Sequence, residues 1–205
     1  MTTNRMEAFS DGVLAIIITI MVLEFKVPHG TSLAELQPLI PKFLSYVLSF
    51  IYIGIYWNNH HHLLQTAKHV SGRVLWANLH LLFWLSLIPF ATAWMGENHL
   101  ATWPVALYGA LLFGAAVAYT ILTRSLISHH GANSELATAI GGDFKGWFSI
   151  ACYAAAISLA FVQPYLSCAL YVVVAATWLV PDSRIEKRIA NECQKIDAND
   201  GPFEQ

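Results

Sequence analysis

Arg5-Met6-Glu7-Ala8-Phe9-Ser10-Asp11-Gly12-Val13-Leu14-Ala15-Ile16-Ile17-Ile18-Thr19-Ile20-Met21-Val22-Leu23 places a charged, hydrogen-bonding cluster directly ahead of an apolar run. From Gly12 to Leu23 that run holds one polar residue, Thr19. Ionisable residues within membrane helices are costly and usually face protein or water. Near the helix entrance, where Asp11 sits, the cost is smaller. The stretch therefore predicts a membrane helix anchored by polar contacts at one end, with an apolar stripe left for another task.

The rest of the chain follows suit. It has 205 residues, 56% hydrophobic and 12% charged, against about 25% charged in soluble domains. A spanning helix needs about 20 mainly apolar residues. Six such stretches are predicted, at about 6–27, 39–62, 74–95, 101–126, 146–163 and 165–181. The fold class is an all-α membrane protein with six transmembrane helices and no soluble domain of size. Residues 1–181 form the six-helix unit, and 182–205 form a polar cytoplasmic tail. Lys26-Val27-Pro28-His29-Gly30 stops the first helix, and Pro89 lies where it can kink the third. No cleavable signal peptide is expected, since a charged leader segment and small-residue cleavage site are missing. Cys152, Cys168 and Cys193 imply no disulfide framework.

Topology follows from the cations. With the N-terminus inside, Arg5, Lys68, Arg73, Arg124, Lys145, Arg184, Lys187, Arg188 and Lys195 are cytoplasmic, nine of the 11 Lys and Arg residues. Lys26 and Lys42 are outside. Both termini are expected in the cytoplasm. No basic patch with exposed aromatics supports a nucleic-acid partner.

At about 100° per residue, with Ile16 at zero, Ile20 falls near +40°, Leu23 near −20°, Thr19 near −60°, Gly12 near −40° and Phe9 near +20°. These residues share one stripe. On the same scale Asp11 falls near −140° and Ser10 near +120°. Asp11 and the stripe cannot face the same neighbour, so Asp11 is expected to meet the second and third helices of its own subunit. An apolar stripe alone is also what an ordinary lipid-facing or core surface presents.

Arg5-x-x-x-Phe9-Ser10-Asp11 at the start of the first helix resembles the signature of the transmembrane protein 175 family of potassium channels. Leu23-Glu24-Phe25-Lys26-Val27-Pro28, Trp57-x-x-His60-His61, and Asn78 with Ser86-Leu87-Ile88-Pro89-Phe90 match it further, in order, over residues 5–95. The resemblance implies a potassium-selective cation channel without a carbonyl filter, and the chain has no Thr-Val-Gly-Tyr-Gly segment. It also implies a homotetramer of single-unit chains in the plasma membrane of a prokaryote. Its cargo is permeant potassium, and it has no cofactor.

Carried over by position, Ile16, Ile20 and Leu23 would form the pore constriction, with Thr19 linked to selectivity. Arg5, Phe9, Ser10 and Asp11 would anchor the pore helix, with Asn58, His61, Asn78 and His80 as candidate partners. Glu24 lies at the outer mouth, where a carboxylate ring concentrates cations; a solvated loop charge is the plainer reading. His60-His61-His62 invites a metal reading, but consecutive histidines point to different helix faces, so none is expected. Trp57, Trp76, Trp94 and Trp103 fit interfacial belts. Two other classes stay open. A proton-coupled transporter would use Asp11 and the histidines and would want polar residues near the midplane, which holds few: Thr19, Ser49, Ser86, Thr120 and Ser158. A membrane enzyme would bind haem through His61 and His80. No nucleophile–base set supports hydrolysis.

Overall fold

The computed structural model describes residues 3–65, 67, 70–130 and 144–179. The tail at 182–205 and most of the loop at 128–145 lie outside the described residues, as does Cys193. The helices are α1 (Thr3–Leu23), α2 (Ile40–Gln65), α3 (Gly72–Ser86), α4 (Ile88–Glu97), α5 (Thr102–His130), α6 (Phe144–Ala160) and α7 (Pro164–Leu179), with a 3-10 helix at Leu33–Leu39. No strand occurs among the described residues. The chain is an all-α membrane protein. Four helical runs are long and apolar enough to cross a membrane: α1, the 3-10 helix with α2, α3 with α4, and α5. α6 and α7, with 17 and 16 residues, are shorter.

The third run is two helices, and the reason is local. Pro89 has no N–H to donate to the preceding turn, so the helical ladder is interrupted there. The Leu87 N–H instead turns back onto Trp84 and Leu85 carbonyls, and Ser86 Oγ donates to Phe83 O at 2.8 Å. Ile88 then starts α4 with Pro89 in its first turn.

Lipid tails are as apolar as leucine, so helices in a bilayer associate through close packing and hydrogen bonds rather than hydrophobic burial. α5 shows the packing. A Cβ on Gly114 would lie 2.5 Å from the Trp84 ring of α3, and one on Gly109 would collide with the Tyr171 hydroxyl of α7. The small residues of α5 thus bring α3 and α7 against its backbone. α4 and α6 pack on it as well. Leu112, Ala115, Ala118, Leu122 and Leu126 are fully buried.

α1 is placed differently. It touches α2, α3 and α4. Its buried residues are Thr3, Met6, Ser10, Leu14, Ile17 and Met21, spaced three or four apart along one face.

Candidate functional site

The face of α1 opposite that buried row is open. Phe9, Ile16, Ile20 and Leu23 are 53%, 58%, 43% and 78% exposed. Gly12 and Thr19 are exposed on the same side, and nothing lies within 4 Å of a Cβ built on Gly12. The Thr19 hydroxyl donates back to its own helix, with Ala15 O and Ile16 O both at 3.0 Å. Its oxygen lone pairs stay outward. The upper stripe borders a cleft of about 600 Å³ between α1 and α4, lined by Ile16, Ile20 and Glu24 with Phe90, Trp94 and Glu97. At the Glu97 end of the cleft, Lys42 Nζ of α2 lies 3.0 Å from Glu97 Oε1 and neutralises it. Glu24 is exposed and makes no ion pair among the described residues.

The other side of α1 carries the polar contacts. Ser10 is fully buried and donates to Met6 O at 2.8 Å. Its oxygen accepts from Asn78 Nδ2 of α3 at 2.9 Å. Asn78 Oδ1, which can only accept, takes a 2.7 Å hydrogen bond from His60 Nε2 of α2. The chain Ser10–Asn78–His60 therefore ties three helices together in the interior. Beside it, two polar rungs join α1 to the antiparallel α2. Trp57 Nε1 donates to Asp11 Oδ1 at 3.0 Å. His61 Nδ1 lies 2.6 Å from Glu7 Oε1. The rungs are one helical turn apart on both helices, Glu7 to Asp11 and Trp57 to His61. Thr3 Oγ1 adds a 3.0 Å bond to Ala67 O beyond the end of α2.

Of the anchoring residues expected from the sequence, Ser10, Asp11, His61 and Asn78 take part in these contacts. Four do not. Arg5 is exposed and makes no hydrogen bond or ion pair among the described residues, because it falls near −20° on the wheel, on the open side with Leu23. Phe9 is open for the same reason. Asn58 and His80 each sit two residues, about 200°, from a network member and point away from it. Asn58 is exposed without a partner among the described residues, and His80 accepts from Trp84 Nε1 on its own helix at 2.9 Å. Glu7, Trp57 and His60 were missing from the expected set. The paired i, i+4 spacings of Glu7/Asp11 and Trp57/His61 were the signal for two of them. No group of three metal-ligating side chains converges among the described residues.

The chain is similar in sequence and fold to known channels. Residues 5–89 match the family model described as the endosomal/lysosomal potassium channel TMEM175. A potassium channel of Chryseobacterium sp. (strain P1-3) is 59% identical, over 92% of this chain and 98% of the relative. The crystal structure of a lysosomal potassium-selective channel TMEM175 homolog from Chamaesiphon minutus superposes with a TM-score of 0.76 at 28% identity, covering 87% of this chain and 96% of that one. A more distant relative, the endosomal/lysosomal proton channel TMEM175 of Mus musculus, is 27% identical over 81% of this chain and 37% of its own length. All of these are channels rather than enzymes by name. The family model begins at Arg5, where the motif begins, and the Chryseobacterium relative is matched almost end to end, so the chain belongs to the TMEM175 family.

Proposed function

We propose that the chain is the subunit of a potassium-selective channel, with α1 of each copy lining the ion path. The observation that carries this reading is the division of α1 into two faces. Thr3, Glu7, Ser10, Asp11 and the buried row make their contacts inside the subunit, while Ile16, Thr19, Ile20 and Leu23 bond to no other helix among the described residues. Four copies arranged with this stripe inward would stack rings of Ile16, Ile20 and Leu23, with Thr19 between them. Apolar rings of this kind gate by dewetting, and selectivity is then set by the cost of stripping water from the ion. Potassium sheds water more readily than sodium. The outward lone pairs of Thr19 replace part of what is lost. No cofactor is needed, and potassium is the cargo.

The lysine and arginine bias supports cytoplasmic termini, and a single-unit chain fits a prokaryotic plasma membrane. Glu24 then stands at the outer mouth. The test is potassium against sodium flux in proteoliposomes for wild type and Ile16→Asn. Potassium-preferring flux, made larger or less selective by the polar substitution, supports the reading. Well-folded wild type without potassium flux overturns it. Saturable flux unaffected by Ile16→Asn favours a transporter instead.

A further inference from the structure

Among the residues lining the cleft between α1 and α4, two are ionisable, Glu24 and Glu97. Their surroundings differ. Glu24 is exposed and makes no ion pair among the described residues. Glu97 closes α4, and its Oε1 is held by Lys42 Nζ of α2 at 3.0 Å. The Lys42 side chain is 9% exposed against 50% for Glu97. An ion in the cleft therefore meets the Glu97 carboxylate directly and the Lys42 ammonium only as a charge beneath it. Lys26, exposed beyond the end of α1, does not line the cleft.

The backbone fixes Lys42 in this place. A Cβ on Gly96 would lie 2.7 Å from Lys42 Cα and 3.2 Å from its Cβ and Cγ, so the lysine stem passes Gly96 on its way to Glu97. Lysine is almost never buried without a partner. A buried ion pair is weak evidence for stability, since apolar residues of similar volume often do as well. Packing alone thus asks for no cation at position 42. The charge itself has a consequence for ions. A mouth lined by carboxylates concentrates cations and speeds their entry from that side. With α1 on the ion path and Glu24 at its outer mouth, each subunit presents one carboxylate open and one cancelled.

We propose that Lys42 tunes the inward potassium current by cancelling Glu97 at the outer mouth, an inference that rests on reading α1 as the pore helix. Lys42 touches no ion. It acts through Glu97, and its removal would double the number of uncompensated carboxylates along the cleft from one per subunit to two.

The test records single-channel currents in planar bilayers at both voltage polarities, in about 0.1 M and about 1 M KCl on both sides. Wild type is compared with Lys42→Met and with Lys42→Met combined with Glu97→Gln. Both variants lack the ion pair, and only the first leaves Glu97 charged. At the lower salt Lys42→Met should raise the inward current about two- to threefold, the effect of one more unit charge per subunit roughly 10 Å from the ion. The outward current should change less. The double variant should match wild type, and the higher salt should bring all three together through screening. A staple between α2 and α4 with no electrostatic role would instead make the two variants alike. That result, a change equal in both directions, or a difference that survives the higher salt would each overturn the proposal while leaving the channel intact. If Lys42→Met fails to assemble, Glu97→Gln decides at a half-exposed position: the unmatched ammonium should lower the inward current, and an unchanged current overturns the proposal. Wild type without potassium current defeats the channel reading and this inference with it.

Discussion

α1 and α5 are equally apolar by hydropathy, yet 28% of the most apolar stretch of α1 is buried against 61% for α5. Hydropathy says that both cross a membrane and nothing about what each faces. The difference lies in residue size and in the placement of polar groups. α5 carries glycines and alanines that admit Trp84 and Tyr171 to its backbone. α1 carries large aliphatics on both sides but its hydrogen bonds to other helices on one, so it is fastened along that edge and left open along the opposite one. In lipid, burial is earned by fit rather than by apolarity.

Substitution breaks the comparison most sharply in α5. Leu112→Ala should destabilise the folded protein by about 2 to 5 kcal/mol, the cost of an unfilled core cavity, and Gly114→Leu should lower yield through overpacking against Trp84. Ile16→Ala in α1 should stay within about 0.5 kcal/mol of wild type. Melting curves in detergent check all three, and an equally large loss at Ile16 would show that the stripe is packed inside the subunit.

The next effect in size belongs to the fastened edge. Asn78→Leu should cost about 1 to 3 kcal/mol, because His60 Nε2 loses its acceptor and Ser10 its donor in a buried site. Asp11→Ala leaves the Trp57 N–H unpaired at a more open position and should cost less. A milder loss for Asn78→Leu than for Asp11→Ala would mean that the two-rung contact, and not the interior chain, does most to hold α1.

The smallest expected change in stability is at Thr19. Its hydroxyl bonds only to its own helix, so Thr19→Ala should leave the melting temperature within the error of measurement. The same variant should lower the preference for potassium over sodium in flux assays. Unchanged selectivity would remove Thr19 from the ion path.

The open and fastened faces of α1 were legible because a period of 3.6 turns sequence spacing into direction. Arg5 shows the limit: its place in the motif suggested an anchor, while its angle put it on the open side. Partners across helices were harder to read. Ser10 and Asn78 were named, but Glu7, Trp57 and His60 entered only once the register of α1 against α2 was known, since a one-residue slide would have brought other side chains together. His80 and Asn58 stood beside true members in sequence and faced away in space. Pro89 marked the weak point of the third run, and the structure adds that the interruption is one residue wide, with Leu87 capping one helix and starting the next.

Cysteine accessibility decides whether the open face of α1 borders the ion path. In a background with Cys152, Cys168 and Cys193 replaced, single cysteines at 16, 20 and 23 are compared with those at 14, 17 and 21 for block of potassium flux by a water-soluble thiol reagent. Block is expected at Ile16→Cys, Ile20→Cys and Leu23→Cys and none at Leu14→Cys, Ile17→Cys and Met21→Cys. Block at the second set, or at neither, would contradict it.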